Sequence, residues 1–128
     1  MASEGQTVLV VEDNAITREG LGAILREAGY TVVLTAHGGE ALAYFHGNPS
    51  PDLILLDMLM PVLDGWHFLN ELKRPPSASV VPILITTSTV LSREWALSHG
   101  CCGFLRKPIE PESLLAEIRR CLAGRSEP

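Results

Sequence analysis

Three carboxylates, a hydroxyl and a lysine stand at the ends of short apolar runs in this sequence. The carboxylates are Glu12, Asp13 and Asp57, and Thr87 and Lys107 supply the hydroxyl and the ammonium group. Carboxylates that lie close together repel one another unless a cation lies among them, and Mg²⁺ is a hard divalent ion that one or two carboxylates hold. A metal, an ammonium group and a hydroxyl can together bind and neutralise a transferred phosphoryl group. These residue types therefore predict a phosphoryl site.

Asp57 is the predicted nucleophile of this site, the carboxylate that attacks phosphorus. It follows the most apolar run of the chain, which predicts that it ends the central strand of a sheet. Glu12 and Asp13 are predicted to hold the metal, directly or through water. Taken singly, Glu12 and Asp13 could instead flank the first helix, and Lys107 could pair with Asp57 without any phosphate. The joint position of these residues at strand ends favours the phosphoryl site.

The elements that position these residues are short apolar runs, which alternate with segments of helical period. Residues 7–11, 53–56 and 83–85 are too short for helices and lack two-residue alternation, so they are predicted strands covered on both faces. Residues 31–34 and 103–106 are weaker candidates, as edge strands tend to be. Ligands of such parallel sheets bind outside the carboxyl ends of the strands, which is where the candidate residues stand.

Five helices are predicted between and after these strands. They lie near residues 21–28, 41–45, 66–72, 92–100 and 114–122. Ser92 is the predicted N-cap of the fourth helix, and Gly124 is predicted to end the fifth. Alternating strands and helices predict an α/β fold with a single-domain, doubly wound, flavodoxin-like (βα)5 architecture and a five-stranded parallel sheet.

Size and charge limit the classes of protein to which the chain can belong. Its 128 residues predict one domain over 1–128 with a core of about 7–122, and no separate output domain. The formal charge of −5 argues against direct binding of nucleic acid. Residues 1–6 are polar, and no run approaches the roughly 18 apolar residues of a membrane span. We therefore expect a cytoplasmic protein without a membrane partner.

The cysteines and histidines give no sign of a metal site. Cys101, Cys102 and Cys121 contain no C-x-x-C pair and leave an odd thiol, so all three are predicted to be buried or half-buried thiols of a reducing compartment. The histidines fall at no metal-ligand spacing with one another or with a cysteine. They are His37, His46, His67 and His99.

Four motifs in combination resemble the CheY-like receiver domain of bacterial two-component response regulators. They are VVEDN at 10–14, LLDMLMPVLDG at 55–65, PILITTS at 82–88 and GFLRKP at 103–108. The resemblance covers about residues 7–122 and implies the strand order 2-1-3-4-5. It also implies a phosphoacceptor in a phosphorelay, which catalyses only its own phosphorylation and slow dephosphorylation and is otherwise not an enzyme.

The resemblance assigns a role to each site residue. It implies that Asp57 accepts a phosphoryl group from a histidine kinase or a histidine phosphotransfer protein. The implied Mg²⁺ ligands are Glu12, Asp13, Asp57 and the backbone carbonyl of Leu59. The implied contacts to the phosphoryl oxygens are Thr87, Ser88, Lys107 and the backbone N–H of Met58.

A conformational switch and an output surface also follow from the resemblance. Thr87 and Phe104 occupy the switch positions, and the Lys107–Pro108 peptide bond is expected to be cis. The surface formed by the fourth predicted helix, the fifth strand and the fifth helix is expected to contact an unidentified downstream protein. The signal would then leave the domain by protein contact.

Two alternatives belong to other functional classes. A pseudo-receiver would keep the fold as an interaction module without phosphorylation. Glu12 stands where Asp is commoner in the family, and Ser88 stands where Ala or Gly is usual, so this alternative stays open. An aspartate-nucleophile phosphohydrolase of the haloacid-dehalogenase kind is less favoured. Those enzymes need a second Asp two residues after the nucleophile, where this chain has Leu59, and the chain is too short for a cap domain.

The apolar Leu59 predicts slow self-dephosphorylation, because many relatives carry a polar residue there that could orient the attacking water. We expect Leu59→Asn to shorten the half-life of phospho-Asp57 severalfold. The measurement is the decay of the phosphorylated species by intact mass after the phosphoryl donor is removed. A wild-type half-life no longer than that of Leu59→Asn would contradict the prediction.

Overall fold

The structure, a computed structural model, describes residues 5–57, 70–71, 81–87 and 93–126. Its elements in chain order are β1 Thr7–Val11, α1 Ala15–Glu27, β2 Thr31–Thr35, α2 Gly38–Gly47, β3 Leu53–Asp57, β4 Ile83–Thr87, α3 Arg93–Ser98, β5 Gly103–Arg106 and α4 Pro111–Ser126. Here α3 and α4 are the fourth and fifth predicted helices. The third predicted helix lies outside the described residues, apart from the helical pair 70–71, and so does Ser92.

The five strands form one parallel sheet in the order β2-β1-β3-β4-β5. Every residue of β3 and β4 is buried, and so is every residue of β1 after Thr7. The edge strands β2 and β5 are partly exposed. Continuous apolar runs therefore mark the central strands, and the predicted α/β class, flavodoxin-like architecture and strand order are confirmed.

Helices cover both faces of the sheet, as a doubly wound fold requires. Alternate strand residues point to opposite faces, so each strand contributes to two core clusters. The cluster under α2 and α3 includes Leu9, Val11, Ile54, Leu56, Ile85 and Phe104. The cluster under α1 and α4 includes Val8, Val10, Leu53, Leu55 and Leu84, together with the helix residues Leu25, Leu114 and Ile118. Among the described helices, none is long and apolar enough to cross a bilayer.

Several helix ends in the described part of the chain follow local capping rules. Asn14 caps α1, and its side chain accepts a hydrogen bond from the Thr17 N–H at 2.9 Å. Gly29 and Gly100 follow α1 and α3 with φ values of 101° and 82°, which few other residues adopt. The prediction that Gly124 ends the last helix is wrong, because α4 continues through it to Ser126. Gly124 is not among the glycines with positive φ, so it is an ordinary helical residue.

The prediction of three thiols is wrong for two of the cysteines. Cys102, which precedes β5, and Cys121 in α4 form a disulfide. Packing of α4 beside β5 brings their Cα atoms to 5.7 Å, a separation that a disulfide spans without backbone movement. Cys101 is buried and keeps its thiol.

The carboxylate of Glu117 in α4 contacts residues of α3, β5 and α4. Its Oε2 accepts hydrogen bonds from Arg120 at 3.0 Å and from Arg93 of α3 at 3.3 Å. The backbone N–H of Phe104 in β5 also donates to Oε2, at 3.4 Å. Hydrogen bonds from Arg120 hold the pKa of Glu117 below its ordinary value, against the opposing effect of burial. Glu117 therefore joins α3, β5 and α4 as a carboxylate.

Glu117→Gln should lower the free energy of unfolding at pH 7 by about 1 kcal/mol, because it removes the charge that both arginines contact. Because the folded state lowers the pKa of this carboxyl group, the ionised Glu117 stabilises the fold fully at pH values above its ordinary pKa of 4.5. This stabilisation is lost as the pH falls through the folded-state pKa. The difference between wild type and variant should therefore shrink below pH 4.5. Urea unfolding across this pH range checks the prediction.

The control is Glu112→Gln, which changes an exposed carboxylate on the same helix. It should alter the stability less than Glu117→Gln does. A Glu117→Gln effect of the same size at every pH would contradict the assigned ion pairs.

Candidate functional site

The carboxyl ends of four neighbouring strands bring the predicted residues to one edge of the sheet. Glu12 and Asp13 follow β1 directly, and Asp57 is the last residue of β3. Thr87 is the last residue of β4, and Lys107 follows β5. Because the strands are parallel and adjacent in the order β1-β3-β4-β5, these ends lie side by side.

Three carboxylates converge at this edge. One oxygen from each of Glu12, Asp13 and Asp57 lies within 4.8 Å of the others. Glu12 is only 1% exposed and Asp57 only 2%, whereas Asp13 is exposed. Hard oxygen ligands in this arrangement fit a Mg²⁺ site that keeps part of its coordination open to water.

Lys107 lies between the two buried carboxylates. Its Nζ donates a hydrogen bond to Glu12 Oε1 at 2.9 Å and lies 3.4 Å from Asp57 Oδ2. The Lys107 side chain is 18% exposed, so solvent screens this ion pair only weakly. The ammonium is thus closer to Glu12 than to the predicted nucleophile.

The ion pair and burial have opposite effects on the pKa values of Glu12 and Lys107. Burial raises the pKa of Glu12 above its ordinary value, although the hydrogen bond from Lys107 opposes that rise. Burial alone would lower the pKa of Lys107. The hydrogen bond to Glu12 and the charge of Asp57 outweigh it and hold that pKa above its ordinary value. Lys107 is therefore a fixed cation in the site.

Within the described part of the chain, the acidic cluster and the lysine that pairs with it carry a net negative charge when the carboxylates are ionised. Three carboxylates carry three negative charges when ionised, and Lys107 supplies one positive charge. A divalent cation has the charge that would offset the remaining two. The donor set and its charge therefore both fit Mg²⁺.

Backbone contacts fix the segment that carries Glu12 and Asp13. The Asn14 N–H donates to Glu12 Oε2 at 3.0 Å, and the Glu12 N–H donates to the Thr35 carbonyl at 3.0 Å. Arg18 of α1 donates to the Glu12 carbonyl at 2.9 Å and to the Asp13 carbonyl at 3.4 Å.

The sequence motifs do not predict this role of Arg18. The available signal was its position near the start of α1, where a cation opposes the helix dipole and so needs another partner. The carbonyls of Glu12 and Asp13 supply that partner, and Arg18 therefore helps to fix the loop that carries both carboxylates.

The predicted switch residues lie on the next two strands. Thr87 is fully buried, and its carbonyl accepts a hydrogen bond from the Lys107 N–H at 2.8 Å. Phe104 is buried, with the Arg106 guanidinium carbon 5.3 Å from the centre of its ring. The Lys107–Pro108 peptide bond is cis. Met58, Leu59 and Ser88, for which the sequence predicts phosphoryl or metal contacts, lie outside the described residues.

Comparison with known proteins gives the same family over most of the chain. Residues 8–119 match the family model of the response regulator receiver domain. Protein PilH of Pseudomonas aeruginosa is 30% identical over 119 residues, which are 91% of this chain and 98% of PilH. The alkaline phosphatase synthesis transcriptional regulatory protein SphR of Synechococcus elongatus is 34% identical, but the match, 94% of this chain, spans only half of SphR.

Solved structures of receiver proteins have a similar fold. The chemotaxis protein CheY4 of Vibrio cholerae has a TM-score of 0.80 and 32% identity, and the match covers 91% of this chain and 98% of CheY4. The receiver domain of the sensor histidine kinase PA1611 of Pseudomonas aeruginosa has a TM-score of 0.80 and 34% identity, covering 93% and 98% of the two chains. That structure holds a magnesium ion in its active-site cleft.

The family match, the sheet order and the acidic edge agree with one another. The chain belongs to the response regulator receiver domains of two-component systems.

Proposed function

We propose that Asp57 accepts a phosphoryl group from a histidine kinase or a histidine phosphotransfer protein. The observation that carries this proposal is the contact of one lysine with two buried carboxylates at the strand ends, Glu12 and Asp57. A structural ion pair needs only one carboxylate for each cation. The second carboxylate, together with the nearby Asp13, makes the edge suitable for a metal and an incoming phosphoryl group.

The proposed transfer is a displacement at phosphorus. An Asp57 carboxylate oxygen attacks the phosphorus of a phosphohistidine, the P–N bond breaks, and the imidazole leaves with that electron pair. The Lys107 ammonium, 3.4 Å from Asp57 Oδ2, is placed to offset charge on the transferred group. Glu12 holds this ammonium in position through its 2.9 Å hydrogen bond.

The proposed metal ligands are Glu12, Asp13, Asp57 and the backbone carbonyl of Leu59. When bound, Mg²⁺ would neutralise the carboxylates and draw charge from the phosphoryl oxygens. The support comes from the convergence of three carboxylates in this chain and from the magnesium in the PA1611 receiver structure. Arg18 keeps Glu12 and Asp13 in place through hydrogen bonds to their carbonyls.

The remaining proposed roles concern contacts to the phosphoryl group and output. We propose that its oxygens are contacted by Thr87, Ser88, Lys107 and the backbone N–H of Met58. Thr87 and Phe104 are the proposed switch, and α3, β5 and α4 form the proposed output face. The partner there is an unidentified protein rather than nucleic acid, and the proposed location is the cytoplasm.

Phosphorylation can be tested directly by incubating the chain with Mg²⁺ and a small acyl phosphate. We expect intact mass to increase by one phosphoryl group in the wild type and not at all in Asp57→Asn. Asp52→Asn is the matched control. Asp52 precedes the opposite end of β3, where its carboxylate accepts a hydrogen bond from the Thr7 N–H. This control should gain the phosphoryl group.

The other outcomes identify the alternatives. No mass increase in the wild type would support a pseudo-receiver, and a mass increase that persists in Asp57→Asn would reject Asp57 as the acceptor. Multiple turnover of a phosphate ester would instead indicate a phosphohydrolase.

The charge balance predicts an effect of Lys107 on stability. Lys107→Met leaves Glu12 and Asp57 buried without their shared cation, so we expect a loss of about 3 kcal/mol in the free energy of unfolding without metal. Mg²⁺ should stabilise this variant more than the wild type, because the ion then supplies the missing charge. Urea unfolding with and without Mg²⁺ measures both effects.

Arg106→Gln is the control for Lys107→Met, since Arg106 is an exposed cation one residue earlier. It should lose little stability and keep the wild-type response to Mg²⁺. Equal stabilisation by Mg²⁺ in Lys107→Met and the wild type would show that Lys107 and the metal do not share the same carboxylates.

A further inference from the structure

The disulfide between Cys102 and Cys121 has no role in the proposed phosphoryl transfer. It joins the residue before β5 to α4, across 19 positions of sequence. Disulfides are rare in reducing compartments, and those that form there are usually transient, with catalytic or redox-sensing roles. The cytoplasmic location proposed above therefore requires an explanation for this bond.

We propose that Cys102 and Cys121 are a reversible thiol–disulfide site, whose oxidant is the disulfide of a low-molecular-weight thiol. Oxidation at this site ties β5 to α4, and reduction releases the tie. The site is separate from Asp57 and does not depend on phosphorylation.

The exchange balances in two steps. The Cys102 thiolate attacks one sulfur of the small disulfide RSSR, which forms Cys102–S–SR and releases RS⁻. The Cys121 thiolate then attacks the Cys102 sulfur and releases the second RS⁻. Two electrons pass from the cysteine sulfurs to RSSR, and the two thiol protons end on the released RSH molecules.

Unequal exposure of the two cysteines sets the direction of attack during reduction. Cys121 is only 3% exposed, whereas Cys102 is half-buried. An incoming thiolate can therefore reach the Cys102 sulfur more readily, and Cys121 is the leaving group. The Arg120 Nη2 lies 3.8 Å from the Cys121 sulfur. A cation in that position stabilises the departing thiolate and so favours reduction.

Contacts other than the disulfide keep the two sulfurs close after reduction. Arg120 Nη2 donates a hydrogen bond to the Cys102 carbonyl, and Glu117 accepts one from the Phe104 N–H. Ile118 and Leu122, on either side of Cys121, are buried in the core under α4. Since α4 is held against β5 by these contacts, the reduced pair stays arranged for the bond to form again.

The site is tested by equilibrating the full chain with mixtures of reduced and oxidised glutathione. Exchange is then stopped with acid, and the thiols are trapped with N-ethylmaleimide in denaturant, which exposes buried cysteines, and counted by intact mass. We expect three trapped thiols under reducing conditions and one, Cys101, under oxidising conditions, with a reversible transition between them. Because the readout is the number of thiols, the result stands or fails separately from phosphorylation of Asp57.

Variants assign the pair and guard against folding defects. Cys101→Ala should keep the transition, whereas Cys102→Ala and Cys121→Ala should each abolish it while retaining the wild-type circular dichroism spectrum. Cys102→Ala changes a half-buried position, so it keeps the test valid if the buried Cys121→Ala fails to fold. A bond that includes Cys101, one that persists at every glutathione ratio, or one that never forms would each overturn the proposal.

The reduction route has its own readout in kinetics. Arg120→Gln should slow reduction of the disulfide severalfold, because the leaving Cys121 thiolate loses its cation. Arg119→Gln, an exposed arginine one position earlier on α4, is the matched control and should leave the rate unchanged. Equal rates in both variants would reject Cys121 as the leaving sulfur assisted by Arg120.

Discussion

The structure depends on one contact, that of a single lysine with two carboxylates removed from water. An isolated buried carboxylate is costly, and two adjacent ones are more costly still, unless a cation offsets them. Lys107 provides that cation for Glu12 and Asp57. The three residues come from the ends of β1, β3 and β5, so the ion pair forms only when these strands lie in one sheet with their carboxyl ends together. The charge arrangement of the site therefore requires this order and direction of the strands.

The core supplies the rigidity that such a contact needs. The central strands are covered on both faces, and their side chains divide between two apolar clusters. Close packing on both faces leaves the strand ends little freedom, which holds Asp57 at ion-pair distance from Lys107. The loop after β1 is partly exposed, and hydrogen bonds hold it in place. The Asn14 N–H donates to the Glu12 side chain, and the Arg18 side chain donates to the Glu12 carbonyl.

The sequence predicts the parts of this arrangement that are local. Apolar runs identify β1, β3 and β4, and the weaker run at 103–106 identifies β5. The parallel order that the family resemblance implies then places Glu12, Asp57 and Lys107 at one edge. What the sequence does not show is which partner a charged side chain finds, such as the carbonyls of Glu12 and Asp13 for Arg18, or α3 and β5 for Glu117. The disulfide belongs to the same class, because Cys102 and Cys121 have no motif spacing and meet only when α4 packs beside β5. The prediction that Gly124 ends the last helix was wrong for another reason. A glycine that ends a helix in this way has a positive φ, and Gly124 does not.

The strand β5 connects the two chemical features of the molecule. Lys107 follows its carboxyl end, and Cys102 precedes its amino end. A strand rises about 3.3 Å per residue, so these two residues are separated by roughly 16 Å of nearly inextensible backbone. Because β5 is an edge strand, β4 is its one neighbour in the sheet, and α3 and α4 pack against its two faces. The disulfide to Cys121 adds support at the amino end of β5. At the carboxyl end, the Lys107 N–H donates a hydrogen bond to the Thr87 carbonyl. The edge strand β5 is therefore anchored at both of its ends, through Cys102 to α4 and through the Lys107 N–H to β4.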